Sequence, residues 1–376
     1  MRNETRALFN AYVSQIALLN GVPDATTMFA VAPAVEQKLE LRMAETSEFL
    51  QAINIVPVTQ QVGQSLGIGT TRTIAGRTDT SGGDKRNPTD PTDNSERNAY
   101  HCRQTDYDWA RSYAAMDAWR HRAEFETITR DAILRQQARD RIMVGWHGVE
   151  AAVETDRVAN PLLQDVNEGW LFKIRDRAPE QVFDDGSLTV ETDGTDNAAL
   201  KAIYVKAGVE LFDANAAYNA TGGSASADAD YSSLDALVLD AKRLLPEWHR
   251  GDTELVVIVG HDLVDDKYFN IAQATGATAT EVEATDRIIR STKQIGGLPA
   301  VRVPFFPADG LLITRLDNLS IYWQEGTRRR MLKDEPEANR IANYESVNED
   351  YVVEDYDAVV LVENIVVGGA PARPAP

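Results

Sequence analysis

One cysteine, Cys102, stands in the whole chain, so no intramolecular disulfide can form and the sequence suits a reducing compartment. Long apolar runs are missing as well: none approaches the ~18–20 residues that a helix needs to cross a bilayer. Cations are in deficit, with 38 Lys and Arg against 58 Asp and Glu, a formal net charge of −20. That balance argues against a nucleic-acid backbone as the main ligand, which needs clustered Lys and Arg. It does not exclude proximity to nucleic acid, because an acidic wall repels it. Familiar catalytic signatures are absent too. No GxGxxG follows a strand, and there is no P-loop, GxSxG or HExxH. Internal repeats are lacking, and strands and helices do not alternate as βα units, which leaves an α+β class.

What is present is organised around residues 125–148. Apolar side chains recur there at Ile128, Ala132, Ile133, Leu134, Ala138, Ile142 and Trp146. These three- and four-residue steps predict one helix, roughly 35 Å long, with an apolar band. Glu126 before Arg130 and Asp131 before Arg135 supply carboxylate-first pairs on its wet side. Upstream, residues 1–20 read as an amphipathic helix with Leu8, Tyr12, Ile16 and Leu19 on one stripe, stopped by Gly21 and Pro23. Glu4, Arg6 and the polar residues between rule out a signal peptide. Residues 23–27 read as a flexible linker. A second helix spans 33–50, its stripe made by Val35, Leu39, Met43 and Phe49, and residues 53–58 form a strand.

The stretch from 59 to 105 is rich in Gly, Thr, Asp, Asn and Pro and lacks the apolar residues for a core. It reads as an extended two-stranded arm, with Tyr100, Cys102 and Asp106 alternating on its return. Residues 184–230 are a variable surface excursion. A helix at 234–245, capped by Ser232 and Ser233, precedes a fully buried strand at 254–260. His261 and Asp262 follow that strand, with Asp265 and Asp266 beyond. This is the most enzyme-like place in the chain, although Asp262 at a helix start is accounted for by the helix dipole. No second soft ligand stands at metal spacing. Arg328, Arg329 and Arg330 read as a solvated strand edge. No catalytic, cofactor-binding or metal-binding residue is therefore assigned.

A long series of strings, in order, carries a resemblance. They include MRNETR, FNAY, SEFLQAINIVPV, RTDT, AILRQQARDRIM, GWHG, NPLLQDVN, YSSLDALVLDA, ELVVIVG, DKYFNIA, IGGLPAVRVPFFPAD, LDNLSIYW and NYESVNEDYVVEDY. Across nearly its full length the chain resembles the major capsid proteins of peduovirus-type phages, contractile-tailed viruses with the Hong Kong 97 shell fold. It departs from them near 82–98, near 184–230 and in the Pro-rich tail.

The resemblance implies a leader at 1–29 removed on maturation, an N-terminal arm at 30–58, and an extended loop at 59–110 lying over a neighbouring subunit. It implies a peripheral domain from 111–159 and 326–367 with its spine helix at 125–148, an axial domain at 160–325, and a disordered tail at 368–376. The cut falls between Phe29 and Ala30, made by a phage-encoded prohead protease. Implied partners are the chain itself, in pentamers and hexamers of an icosahedral shell, with the scaffold, the prohead protease and the portal protein. Double-stranded DNA is enclosed content, and no membrane is involved. Assembly is expected in the host bacterial cytoplasm, and the product is the virion capsid. Two alternatives remain at this stage: an α+β enzyme with a His261/Asp262 site under a long 59–105 lid, and an encapsulin-like compartment shell.

Overall fold

A strand that buries both faces and a helix that buries one need different sequence patterns, and both occur here in long stretches. The computed structural model describes residues 1–64, 75, 77–79, 81, 85–86, 99–119, 125–186, 201–205, 230–231, 233–263 and 294–367. The chain opens with α1 (Asn3–Asn20), β1 (Phe29–Ala30), α2 (Pro33–Ala44), α3 (Glu48–Ala52), β2 (Asn54–Val58) and β3 (Val62–Gln64). From residue 99 come β4 (Ala99–His101), β5 (Arg103–Asp106), β6 (Trp109–Ser112), α4 (Tyr113–Trp119) and α5 (Phe125–His147). Next are α6 (Trp170–Arg177), β7 (Val182–Phe183), β8 (Ile203–Val205), α7 (Leu234–Ala241), α8 (Glu247–Arg250) and β9 (Val256–Val259). Strands follow: β10 (Gln294–Ile295), β11 (Leu298–Val301), β12 (Leu311–Thr314) and β13 (Leu319–Gln324). The last are β14 (Arg329–Glu335), β15 (Arg340–Val353), β16 (Val360–Val362) and β17 (Ile365–Val367).

These elements form two units. The first comprises residues 1–173 and 317–354, the second 174–316 and 355–376. In the first unit the 14-residue β15 is the central strand. Residues 340–346 pair with β14, 340–343 also with β6, and 346–349 with β5, while 349–353 pair with β13, which in turn pairs parallel with β2. Asn339 turns the chain between β14 and β15 at φ 51°, a left-handed conformation that Asn tolerates. Phe49, Trp146, Trp170 and Tyr351 make an aromatic core, with the two indoles 4.9 Å apart. Gly145 is required there, because a Cβ at that position would lie 2.2 Å from the Trp170 ring.

In the second unit a six-stranded sheet runs β10-β11-β9-β12-β16-β7. Its middle strands bury both faces, as their unbroken aliphatic runs require. The expected buried strand is β9, parallel to β11 and antiparallel to β12. Residues 261–263 are helical, and the rest of the helix expected after β9 lies outside the described residues. So do most of the arm between 65 and 98, the bulk of the 184–230 excursion, and the tail.

Several expectations change. The helix at 125–148 forms, and Leu134, Ala138, Ile142 and Trp146 are buried, but Ala132 is exposed and Gln137 and Arg141 share the buried face. Asp131 pairs with Arg130 at 2.9 Å, while Arg135 donates to the Asp131 carbonyl instead of its carboxylate. In α1 the buried residues are Thr5, Phe9, Ile16 and Ala17, whereas Leu8 and Leu19 are over half exposed. The supposed linker at 23–27 is tied down. Ala25 is fully buried, its carbonyl accepts from the Leu332 amide at 3.0 Å, and Asp24 caps the Thr26 amide at 2.8 Å. The 33–50 helix is two helices, because Thr46 turns its hydroxyl onto the Met43 carbonyl at 2.6 Å and Ser47 is extended. The strands expected to share one domain at 326–367 divide: β14 and β15 join the first unit's sheet, while the aliphatic β16 joins the second unit's sheet and β17 pairs with β8 there.

Candidate functional site

Charged side chains four apart on a helix share a face, and on a strand residues four apart do so as well. In α2 that places Glu36 with Glu40, and in β15 Glu345 with Glu349. The fold turns both pairs inward, around Arg141 of α5 and Arg328 immediately before β14. The Arg141 guanidinium donates to Glu40 at 2.6 and 3.1 Å and to Glu349 at 2.9 Å. Arg328 donates to Glu345 at 2.8 Å and also to Glu40. Tyr107 donates to the second Glu349 oxygen. Glu36 accepts from the Gly326 amide at 3.1 Å and lies 4.0 Å from Arg328. All six charged groups are buried.

Burial alone would raise the Glu40 carboxyl, but the guanidiniums of Arg141 and Arg328 outweigh it and hold Glu40 below the ordinary glutamate value. Glu36 goes the other way: burial raises it, and the Gly326 amide and Arg328 only partly offset that. Arg141 is held well above its usual value by Glu349 and Glu40 against the opposing effect of burial. A second buried pair stands nearby, where Lys173 donates to Asp350 and to the Tyr351 carbonyl, both at 2.6 Å.

This cluster binds α2, α5, β14 and β15 to one another. It contains no nucleophile beside a base, and no group of metal-ligating residues occurs among the described residues. Its chemistry is fastening. Removing one member of a buried ion pair costs about 3–5 kcal/mol, because the other charge is left uncompensated.

Residues singled out in the sequence lie elsewhere or play other parts. His261 and Asp262 are largely exposed, 3.5 Å apart, at the beginning of a helix. Arg328 is no solvated strand edge but the second guanidinium of the buried cluster, while Arg329 faces water and Arg330 donates to Asn343 at 2.7 Å. Phe29 and Ala30 are β1, registered against Arg330 and Arg329 of β14. Phe29 is buried with Phe9, Ile16, Val31, Leu332 and Ile341.

The family model described as phage major capsid protein, P2 family, matches residues 8–365. This chain belongs to that family. It is 44% identical over 378 residues to the capsid protein of Escherichia phage P2, covering 99% of this chain and 98% of that one. It is 39% identical to the major capsid protein of Serratia phage KSP20, covering 97% of both. Among solved structures, a chain of the satellite phage P4 procapsid including size determination (Sid) protein matches with a TM-score of 0.73 at 42% identity, over 98% of this chain and 99% of that one. The capsid protein therefore has the Hong Kong 97-type shell fold anticipated from its strings, with mixed helix and sheet. It is a structural protein of the phage shell, not an enzyme, and the His261/Asp262 reading falls.

The buried cluster of this capsid protein escaped sequence reasoning because the 33–50 helix was read only by its apolar stripe, which includes neither Glu36 nor Glu40. One signal was available: the spacing of 36 with 40 and of 345 with 349 leaves acids at matched intervals on elements expected to pack.

Proposed function

We propose that this capsid protein assembles with copies of itself, as pentamers and hexamers, into an icosahedral prohead and then the mature shell that encloses phage double-stranded DNA. The observation that carries the reading is identity of 44% extending along 99% of the chain to a phage capsid protein. The acidic balance of −20 supports enclosure without adhesion, since like charge repels the packaged backbone. Assembly in the host bacterial cytoplasm, with a scaffold, a prohead protease and a portal protein, belongs to the same proposal. In this reading the first unit, with α5 as its spine, is the peripheral domain, and the second is the axial domain that gathers at the symmetry axes.

Removal of residues 1–29 between Phe29 and Ala30 is part of the proposal. A protease reads its substrate as an extended strand, and β1 already has that form, but it is engaged with β14 through two residue pairs. The cut therefore requires β1 to leave the sheet first, a local opening and not global unfolding. Co-expression of the chain with a P2-type scaffold and protease, followed by electron microscopy and intact-mass measurement, tests both parts. Closed shells with subunits beginning at Ala30 are expected. Soluble, folded protein that never forms shells overturns the assembly reading, and closed shells whose subunits retain Met1 in the presence of active protease overturn the processing reading alone.

A further inference from the structure

The buried cluster of the first unit carries more acid than base. Glu36, Glu40, Glu345 and Glu349 face only two guanidiniums there, those of Arg141 and Arg328. Both cations are committed elsewhere: Arg141 holds Glu40 and Glu349, and Arg328 holds Glu345 and Glu40. Glu36 is left over. It is fully buried, and its Oε2 accepts from the Gly326 amide at 3.1 Å. Its Oε1 has no hydrogen-bond partner among the described residues, and neither has the Arg328 Nε, which lies 4.0 Å away. Buried polar atoms are normally satisfied, so an unmet carboxyl oxygen in a cation-poor cluster marks a place for one more positively charged donor. Burial pushes the Glu36 carboxyl upward, and the Gly326 amide and Arg328 only partly oppose it, as expected of an acid without a full counterion.

The strand β1 ends beside this gap. Phe29 and Ala30 are registered with Arg330 and Arg329, and the ladder continues where the Val31 amide donates to the Arg328 carbonyl at 2.9 Å. Cross-strand partners point to one face of a sheet, and so do residues two apart on a strand. Phe29 and Val31 therefore share a face with the Arg328 side chain. Both are buried there, in the apolar cluster that includes Leu332, while Ala30 is exposed.

Hydrolysis of the Phe29–Ala30 bond creates a cation at this place. The water oxygen joins the Phe29 carbonyl carbon as the C–N bond breaks, leaving a carboxylate. Both water protons go to the Ala30 nitrogen, leaving an ammonium at neutral pH. Phe29 departs with the leader and vacates its position on the cluster's face. The new ammonium then stands one residue, about 3.8 Å of chain, from the Val31 that Arg328 holds.

Given the proposed cut, on which this inference rests, we propose that the Ala30 α-ammonium turns into the space Phe29 leaves and binds the Glu36 Oε1, so that maturation supplies the third cation of the buried cluster. Before the cut the Ala30 nitrogen is an uncharged amide and Phe29 fills the space, so the pair cannot form. After it, Glu36 is ionised and the new terminus is tied to α2, which keeps the opened β1 from returning to its former course. The charged groups facing this pair are Arg328 and Glu40, with Arg141, Glu345 and Glu349 behind them. An α-amine held by a carboxylate titrates above its usual ~7.7–8.0. The pair is therefore whole below the usual value and is lost as the pH rises through the raised one.

The test uses shells of the full-length chain co-expressed with scaffold and active protease, carbamylated with potassium cyanate at pH 7, the N-terminal peptide being read by mass. The Ala30 amine of wild-type shells is expected to react about tenfold more slowly than that of a free peptide of residues 30–36, the factor by which a one-unit rise in pKa lowers the uncharged fraction. In Glu36→Gln shells, which keep an oxygen for the Gly326 amide, it is expected to react as the peptide does. The wild-type protection is expected to fade as the pH is raised past the amine's pKa, and to vanish on unfolding. Wild-type shells whose Ala30 amine reacts at the peptide rate overturn the inference and leave the cut intact, whether or not the glutamine variant assembles. So does equal protection in wild-type and Glu36→Gln shells, which would give the terminus a different partner. Subunits that retain Met1 beside active protease overturn the processing reading and take this inference with it.

Discussion

Glu36 and Glu40 sit one helical turn apart, both buried, and titrate in opposite directions. Glu40 is held below the ordinary value of 4.5, so its ion pairs stabilise the fold at neutral pH, and that stability is lost as the pH falls below 4.5 through the folded value. Glu36 is raised above 4.5, so the fold prefers its neutral form, and stability is lost as the pH rises from 4.5 through the folded value. Glu36→Gln keeps an oxygen for the Gly326 amide and carries no charge. Chemical denaturation is expected to show that this variant flattens the loss above pH 4.5, whereas Glu40→Gln destabilises the subunit at pH 7. Equal and opposite behaviour of the two variants would show that the Arg141 and Arg328 guanidiniums serve Glu36 instead. Arg141→Met is expected to cost about 3–5 kcal/mol at pH 7, since Glu40 and Glu349 are then left buried with one cation fewer. Cys102 behaves as a buried apolar residue. With a thiol pushed up to about 12 by burial and by Asp350 and Glu349, it is expected to ignore thiol reagents at pH 8 until the subunit unfolds. Labelling within minutes in native buffer would place it at the surface.

At the scale of elements, apolar steps of three and four residues located α5, and an unbroken aliphatic run located β9. Periodicity failed where polar side chains take apolar positions. Arg141 and Gln137 lie on the buried face of α5 among Leu134, Ala138 and Ile142, and no periodicity of apolar residues includes them. In α1 the reading placed Ile16 and Tyr12 correctly but misplaced Leu8 and Leu19, which are exposed. Phe9 takes the inner position expected of Leu8, because its partners Leu332 and Ile341 lie three hundred positions along the chain and have no trace in the local pattern. Ala132 is on the exposed face of α5, so substitution there disturbs no packing. That makes Ala132→Pro a clean probe of the helix itself, with an expected cost of about 3 kcal/mol or more from the lost hydrogen bond and the ring clash. Subunits carrying it are expected in the insoluble fraction, while Ala132→Ser remains soluble and assembles. Normal shells from the proline variant would mean that α5 is broken near residue 132.

For the whole molecule, the question is which parts of the arm need a neighbour. The sequence reading had order arriving from outside along both flanks, since the composition of 59–105 cannot offset an ordering cost of roughly 1–2 kcal/mol per residue. For the return flank that is overturned. Residues 103–106 and 109–112 pair with β15 of their own chain, Tyr100 packs 5.1 Å from the Tyr322 ring, and Cys102 is fully buried. The reason is invisible locally: β15 offers an edge that only the returned C-terminal chain provides. The outgoing flank retains a short ladder, Val62 to Gln64 against Ala99 to His101. Hydrogen exchange on dilute subunits is therefore expected to find 99–112 protected, with little change on assembly. Residues 65–78, which the resemblance lays over a neighbouring subunit, are expected to gain protection only in closed shells. Assembly then adds contacts to a subunit already complete around β15, and its free energy appears as local stability in that one stretch. If 99–112 exchanges as fast as the amides of unfolded peptide in dilute subunits, the intrachain pairing with β15 is not the state of the unassembled protein. If 65–78 is equally protected before and after assembly, the stretch belongs to its own subunit and no second copy is needed to hold it.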